Sequence, residues 1–335
     1  MVSSPVLEVK GLRTSFQTDD GEVTVVNHID FQVNSGEVLG IVGESGCGKS
    51  VTSLSVMGLV PSPAGKVEGD ILFKGENLTS VSEKRMREIR GNEIAMIFQE
   101  PMTSLNPVFT IGSQLIEALQ IHKKWPKKKA WAHAIDMLKM VGLPRAEELM
   151  KDFPHQLSGG MRQRVMIAMA MICSPKLLIA DEPTTALDVT IQAQILELMK
   201  KLNNETDTAI MMITHDLGVV AEMCQRVVVM YAGKVVEEAD VKTIFTNPKH
   251  PYTVGLIQSV PDMREKKDRL YSIPGNVPKP GSVKEGCQFA PRCAHAYERC
   301  LSETPSLDTL EGGQKVRCWL YEDQKGVDIV GRTIS

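Results

Sequence analysis

The stretch VLGIVGESGCGKSVTSLSVMGL constrains the fold more than any other part of this chain. An apolar run over residues 38–42 predicts a short buried strand, and a helical pattern begins near residue 50. Between them stands Gly43-x4-Gly48-Lys49-Ser50, a turn whose backbone N–H groups can converge on phosphate oxygens. We therefore predict a strand, a phosphate-binding loop and a helix whose N-terminus faces the same anion.

The residue types of this loop fit a nucleotide that carries Mg²⁺. Lys49 supplies a positive charge for the β and γ phosphates, and the hydroxyl of Ser50 is a ligand for the metal. A chance glycine-rich turn is the alternative, but the strand before and the helix after it disfavour that interpretation. The predicted nucleotide contacts here are Gly43, Glu44, Ser45, Gly46, Cys47, Gly48, Lys49, Ser50 and Val51.

A second predicted strand ends in two carboxylates, in PKLLIADEPTTALD. Its apolar run is typical of a buried parallel strand, which carries chemistry at its carboxyl end. Asp181 is expected to orient the Mg²⁺ shell, and Glu182 to polarise an attacking water. Such a pair after a strand is usually a solvated strand end, but a phosphate loop in the same chain favours the catalytic interpretation.

The segment HQLSGGMRQRVMIAMAMICSP resembles the signature of the ATP-binding cassette ATPases. Ser158, Gly159 and Gly160 open a helix there, and a bare helix N-terminus attracts anions. The resemblance implies that these residues cover the γ-phosphate bound on a partner cassette. Two cassettes would then enclose two ATP molecules head to tail.

Further positions match this family one by one. The resemblance implies that Phe16 stacks on adenine, although a core phenylalanine is almost as good an interpretation. It implies that Gln99 reaches Mg²⁺ and the attacking water, that Asp188 communicates across the dimer and that His215 contacts the γ-phosphate. It extends from residue 6 to about residue 255 with no departure at a catalytic position. We therefore expect a competent ATPase with Glu182, His215 and Gln99 as catalytic residues.

The predicted fold class is α/β, a phosphate-loop cassette with a parallel-sheet core. An antiparallel β segment precedes the core, and strands over 177–181, 209–214 and 226–231 complete it. Residues 1–255 are predicted to form the cassette domain, with a helical subdomain at about 102–160. Residues 256–335 are predicted to be a loop-rich extension with one short helix, because proline and glycine crowd the sequence after residue 245.

Composition and charge narrow the range of partners and cellular locations that we expect. The net charge of −3 disfavours nucleic acid as a partner, and the N-terminus lacks the pattern of a signal peptide. The apolar runs are strand-sized, too short for a transmembrane helix. Lys123 to Lys129 include five lysines, which indicates a solvated helix end or, as the sharper alternative, a contact with anionic lipid headgroups.

The strings GESGCGKSVTSLSVMGL, FQEPMTSLNP and GCQFAPRC are similar to the ATP-binding subunits of dipeptide and oligopeptide importers. This resemblance implies a peripheral position on the cytoplasmic face of the cell membrane. It also implies two membrane permeases, a second homologous ATPase and an extracellular peptide-binding protein, with residues 100–112 against a permease. Nickel importers are the nearest alternative, and soluble cassettes of DNA repair or translation are a more distant one.

Four cysteines cluster near the C-terminal end, at Cys287, Cys293, Cys300 and Cys318. Disulfides are disfavoured in a chain without an export signal, so a shared ligand is expected. Structural zinc typically uses closer cysteine pairs, whereas a cubane tolerates wider spacing. Peptide-importer ATPases of this type include members with such a cluster, so the resemblance also favours [4Fe–4S]. Zn²⁺ stays the alternative.

Overall fold

The computed structural model describes residues 5–19, 21–99, 104–185, 188–260, 271–283 and 285–324. The chain divides into two compact units. The first unit consists of Met1–Glu8, Gln32–Val38 and Leu72–Ile213. The second unit consists of Val9–Phe31, Leu39–Ile71 and Thr214–Ser335.

The strands follow one another along the whole chain. In order they are β1 (Pro5–Thr18), β2 (Gly21–Asn34), β3 (Val38–Val42), β4 (Gly65–Phe73), β5 (Glu76–Asn77), β6 (Ile94–Ile97), β7 (Leu177–Asp181), β8 (Ala209–Thr214), β9 (Arg226–Tyr231), β10 (Lys234–Asp240), β11 (Asp308–Thr309) and β12 (Lys315–Val316).

The helices alternate with these strands. In order they are α1 (Lys49–Val56), α2 (Glu83–Ile89), α3 (Ile111–His122), α4 (Lys127–Met140), α5 (Ala146–Leu149), α6 (Gly159–Met171), α7 (Val189–Thr206), α8 (Leu217–Met223), α9 (Val241–Thr246), α10 (Pro251–Gln258) and α11 (Glu298–Ser302). Short 3₁₀ turns lie at Pro154–Gln156, Ala290–Arg292 and Trp319–Gln324.

In the first unit, β6, β7 and β8 form parallel pairs in that order. Every residue of β7 and β8 is buried, which explains why both strands are continuous apolar runs in the sequence. The carboxyl ends of parallel strands share one edge of a sheet, and β7 brings Asp181 to that edge. The bounds predicted for these two strands are confirmed.

Helices α3, α4 and α6 pack against one another in the same unit. Helix α3 begins after Thr110, whose hydroxyl accepts a hydrogen bond from the Ser113 N–H, and its sequence, IGSQLIEALQIH, has the period of a helix. Helix α4 begins at Lys127 after Pro126, so Lys127, Lys128 and Lys129 of the lysine run form its exposed first turn. The domain boundaries predicted at about 102–160 and at 255 stay predictions.

In the second unit, β3 pairs in parallel with β9, and β9 pairs antiparallel with β10. The bounds predicted for β3 and β9 are confirmed. Strands β4 and β5 pair antiparallel in the first unit, with Leu72 opposite Asn77. Strands β1 and β2 are joined by two residues, so they run antiparallel, as the sequence predicts.

The C-terminal part contains more regular structure than the predicted single short helix, and that prediction is wrong. Besides α10 it forms α11 and the short strands β11 and β12. Strand β12 pairs antiparallel with β10, with Val316 opposite Glu237. Two-residue strands have no periodicity of their own and exist because a partner strand offers hydrogen bonds, so a local pattern does not reveal them. None of the helices in the described ranges is long and apolar enough to cross a bilayer.

Candidate functional site

The predicted phosphate loop leaves β3 at Gly43, and the glycines there are required by geometry. Gly43 has φ 155°, and a Cβ on it would lie 2.2 Å from the carbonyl oxygen of Met230. Gly48 has φ 103°, a backbone conformation that residues other than glycine rarely adopt. The loop therefore turns sharply into α1, whose first residue is Lys49.

The side chain of Lys49 is buried and folds back over the loop. Its Nζ donates to the carbonyl oxygen of Gly43 at 2.7 Å and to that of Glu44 at 3.2 Å. Ser45 and Gly46 are exposed at the tip. A buried cation inside a turn of backbone N–H groups at a helix N-terminus is suited to an anion such as a phosphate group.

Glu44 is tied to residues far away in the sequence. Its carboxylate accepts from Arg292 at 2.7 and 3.1 Å, and its N–H donates to the hydroxyl of Tyr252 at 2.8 Å. Neither Arg292 nor Tyr252 is among the site residues that the sequence predicts. No local pattern links them to the loop, and only an alignment with covarying positions could have revealed the contact.

In the first unit, Asp181 ends β7 as a buried residue, and Glu182 follows in a left-handed conformation with φ 49°. The carboxylate of Glu182 accepts from Gln99 Nε2 at 3.1 Å and from Thr185 Oγ1 at 3.0 Å. The structure thus brings two predicted catalytic residues, Gln99 and Glu182, into contact. Thr185 was missed, because a threonine in a loop has no distinguishing signal.

Backbone strain of this kind at Glu182 costs about 1–3 kcal/mol, and it persists only where the surroundings enforce the conformation. The enforcing contact is the Glu182 N–H, which donates to the carbonyl oxygen of Ile213 on β8 at 2.8 Å. The side chain stays partly exposed, and the amide of Gln99 and the hydroxyl of Thr185 are among its hydrogen-bond donors. A carboxylate in this setting can accept a proton from a water or orient it.

The predicted signature residues begin α6. Ser158 caps the helix by accepting from the Met161 N–H at 3.4 Å, and both Ser158 and Gly159 are exposed. Exposure leaves this helix N-terminus accessible to another molecule. Gln163, which sequence reasoning did not assign, is buried and donates to the carbonyl oxygen of Pro183 beside Glu182. It connects α6 to the loop that carries Glu182, the predicted catalytic carboxylate.

Three more residues with predicted roles, His215, Asp188 and Phe16, lie in the described parts of the chain. His215 is exposed directly after β8, Asp188 caps α7 by accepting from the Ile191 N–H at 2.9 Å, and Phe16 is half-buried in β1. The ring of Phe16 lies beside Gly65, where a Cβ would be 3.1 Å from Cε1. Their roles toward a nucleotide or a partner stay predictions.

In the predicted permease loop, residues 100–103 lie outside the described residues, while Val108 and Phe109 are exposed.

The four C-terminal cysteines line one cavity, together with His250 and His295. Burial raises the pKa of the Cys287 and Cys293 thiols, and it raises that of Cys318 to about 12. Charge on the other three sulfur atoms contributes to the raised pKa of Cys318, as a smaller cause than burial. Within the described ranges, no three His, Cys, Asp or Glu side chains are grouped closely enough to hold one metal ion.

Comparison with known proteins agrees with this geometry. The family model for "ABC transporter" matches residues 26–185, and that for "Oligopeptide/dipeptide transporter, C-terminal region" matches residues 236–300. The oligopeptide transport ATP-binding protein AppD of Bacillus subtilis is 55% identical over 96% of this chain and 98% of its own length. The chain belongs to the ABC transporter family. The family identified from the sequence motifs is therefore confirmed.

Two more comparisons extend the assignment to the ABC transporter family. The oligopeptide transport ATP-binding protein OppD of Haemophilus influenzae is 51% identical, over 96% of this chain and 99% of its own. The dimeric structure of MJ0796, a bacterial ABC transporter cassette, superposes with a TM-score of 0.62 at 26% identity, covering 70% of this chain and 98% of that one. The predicted cassette fold is confirmed.

Proposed function

We propose that this ABC protein is the ATP-hydrolysing subunit that energises uptake of dipeptides or oligopeptides through a membrane importer. The observation that carries the proposal is similarity along nearly the whole chain, C-terminal region included, to proteins named for oligopeptide transport. A cassette shared by many transporters would match over its ATPase part alone.

In this proposal the loop from Gly43 to Val51 holds the phosphates of ATP, with Lys49 as their cation. Ser50, Gln99 and Asp181 hold Mg²⁺, and Glu182 orients the attacking water. Support comes from the buried Lys49 and from the 3.1 Å contact between Gln99 and Glu182. His215 contacts the γ-phosphate and Phe16 the adenine.

The proposed active form contains a second, homologous ATPase subunit. Ser158, Gly159 and Gly160 then complete the partner's nucleotide site, and the exposed start of α6 supports this role. The isolated chain is expected to hydrolyse ATP slowly, because one subunit lacks half of each site. A monomeric sample that matched the turnover of the assembled transporter would refute this part.

The proposed membrane partners are two permeases at the cytoplasmic face of the cell membrane, with an extracellular peptide-binding protein acting through them. Support comes from the loop before α3, where Val108 and Phe109 are 71% and 53% exposed. Large apolar side chains at this exposure suit a protein contact. ATP would bind the closed ATPase dimer better than the open one and so shift the permeases between states.

We also propose that Cys287, Cys293, Cys300 and Cys318 hold a [4Fe–4S] cluster. The four thiols line one cavity, and their wide spacing in the sequence suits a cubane with four separate corners better than the close cysteine pairs typical of structural Zn²⁺. A metal would also deprotonate thiols that burial otherwise keeps protonated. The cluster would supply structural cross-linking of the C-terminal segment.

Anaerobically purified protein tests the cluster. We expect a brown sample with broad absorbance near about 400 nm and about four irons per chain. Cys318→Ser should abolish the colour, whereas Cys173→Ser, which alters a buried cysteine outside the cavity, should keep it. A colourless sample with one zinc and no iron would decide for zinc.

The transport proposal is tested in the assembled complex. We expect the chain, purified from membranes, to bring apolar multi-span permeases and a second ATPase with it. In proteoliposomes, peptide-loaded binding protein should stimulate ATP hydrolysis. Stimulation by nickel alone would favour the nickel alternative, and copurifying RNA or DNA without permeases would favour a soluble cassette.

A further inference from the structure

Arg292 is the most completely hydrogen-bonded arginine side chain near the phosphate loop. It ends the 3₁₀ turn between Cys287 and Cys293, and its side chain is only 4% exposed. All five guanidinium N–H groups have acceptors. Nη1 donates to Glu44 Oε2 at 2.7 Å and to the Tyr231 hydroxyl at 3.4 Å. Nη2 donates to Glu44 Oε1 at 3.1 Å and to the carbonyl oxygen of Ile273 at 3.2 Å. Nε donates to the carbonyl oxygen of Pro274 at 2.8 Å.

Both the carboxylate and the backbone N–H of Glu44 have hydrogen-bond partners. Arg292 grips the carboxylate with a two-pronged contact, while the Tyr252 hydroxyl accepts from the Glu44 N–H at 2.8 Å. Glu44 directly follows Gly43, the first glycine of the phosphate loop. The loop's anion chemistry depends on the direction of its backbone N–H groups, so holding Glu44 in this way helps to set that direction.

A buried aromatic cluster keeps Arg292 in place. The rings of Tyr231, Tyr252 and Phe289 lie 4.6 to 5.5 Å apart between centroids. The guanidinium carbon of Arg292 lies 5.8 Å from the Tyr231 centroid and 5.9 Å from that of Phe289. Tyr231 and Tyr252 have no exposed surface. The arginine is therefore positioned by core packing and cannot follow Glu44 if the loop moves.

Arg299 shows what an ordinary arginine of the same segment does. It pairs with Glu303 and Glu322 and lies over the ring of Trp319, and its side chain is 36% exposed. Exposed pairs of this kind contribute little and tolerate replacement. Arg292 differs in burial, in the number of its donors and in reaching the phosphate loop.

We infer that Arg292 is a positioning residue of the nucleotide site, through which the cysteine-bearing turn at 287–293 sets the affinity of this chain for ATP. The inference rests on the proposed role of residues 43–51 in ATP binding. Displacement of the turn releases Glu44, and the loop loses its fixed orientation. Because such coupling is reciprocal, bound ATP also stabilises the turn.

The test is the Kd for MgATP of the full-length chain, measured by direct binding. Arg292→Ala should raise it about tenfold, within the usual range of coupling between sites. Arg292→Lys should raise it as well, because an ammonium group cannot donate to the carboxylate and to the backbone carbonyls at once. Arg299→Ala is the matched control and should leave the Kd unchanged.

A double-mutant cycle separates positioning from general damage. In a Glu44→Gln background, Arg292→Ala should change the Kd by less than about twofold, because the contact is already broken. An equal rise in both backgrounds, or no rise at all, would overturn the inference. If Arg292→Ala does not fold, Tyr252→Phe replaces it, and an unchanged Kd for that variant would count against the inference in the same way.

Two further measurements complete the test. MgATP should slow amide hydrogen exchange over residues 286–293 in the wild type and not in Arg292→Lys, and equal protection in both proteins would contradict the coupling. Lys49→Ala tests the underlying site. Unchanged ATP binding there would refute the proposed site itself, whereas loss of binding there with a normal Kd in Arg292→Ala would refute only the inference.

Discussion

Two glutamates occupy equivalent places at the ends of parallel strands yet are held in opposite ways. Glu44 follows β3 and is clamped by the fork of a buried arginine and by a tyrosine hydroxyl. Glu182 follows β7 and accepts from Gln99 and Thr185, two neutral and exposed side chains. The first carboxylate is paired with a buried guanidinium group, while the second contacts a side-chain amide and a hydroxyl group.

This difference distinguishes a structural carboxylate from a chemical one. A charge paired with a guanidinium group has its role fixed by the fold, and its removal leaves the partner unsatisfied. A carboxylate on a strained backbone, in contact with an amide and a hydroxyl group, suits the role of base that we propose for Glu182. The same substitution at the two sites should therefore give opposite phenotypes.

The largest expected effect is on turnover. Glu182→Gln should lower the turnover of the assembled transporter about 10²- to 10⁴-fold, because the amide keeps the shape but cannot act as a base. Its ATP affinity and unfolding midpoint should stay near those of the wild type.

Glu44→Gln is the matched control for that substitution. It should keep most of the turnover but lower the free energy of unfolding by about 1–2 kcal/mol, because Arg292 loses a charged acceptor. Loss of turnover in Glu44→Gln, with normal turnover in Glu182→Gln, would reverse the assignment of the two carboxylates.

The next effect concerns the backbone before Glu44. Gly43→Ala should lower the free energy of unfolding by about 3 kcal/mol, because the new Cβ would meet the carbonyl oxygen of Met230 at 2.2 Å. Gly46→Ala has the same kind of unfavourable φ, 80°, but no neighbour within 4 Å. It should cost about 1–2 kcal/mol in denaturant unfolding. If both variants lost the same free energy of unfolding, the loop would relax freely around residue 43. That result would contradict a loop held in place at Glu44.

The smallest expected effect concerns the hydrogen bond from Thr185 to the Glu182 carboxylate. Thr185→Ala removes a 3.0 Å hydrogen bond to the carboxylate and should lower turnover about two- to tenfold, equivalent to about 0.5–1.5 kcal/mol. Thr185→Ser keeps the hydroxyl and should restore most of the rate. A serine variant as slow as the alanine variant would show that the methyl group, and not the hydrogen bond, matters.

The sequence revealed the β3 loop and the β7 edge because each combines an apolar strand with chemistry at its end. Helix α3 was also visible from the helical period of its sequence. The clamp on Glu44 was invisible, since Arg292 is 248 positions away and lies in a segment without periodicity. The left-handed backbone of Glu182 was also hidden, because it depends on the hydrogen bond to Ile213 on the neighbouring strand.

The distance along the chain between Glu44 and Arg292 also imposes an order on synthesis. At about 5–20 residues per second, the ribosome needs about 12–50 s to make the 248 residues between them. Until then the emerging phosphate loop lacks its clamp. A nascent chain therefore acquires the contact between Glu44 and Arg292, and with it the fixed orientation of the loop, only after residue 292 has left the ribosome.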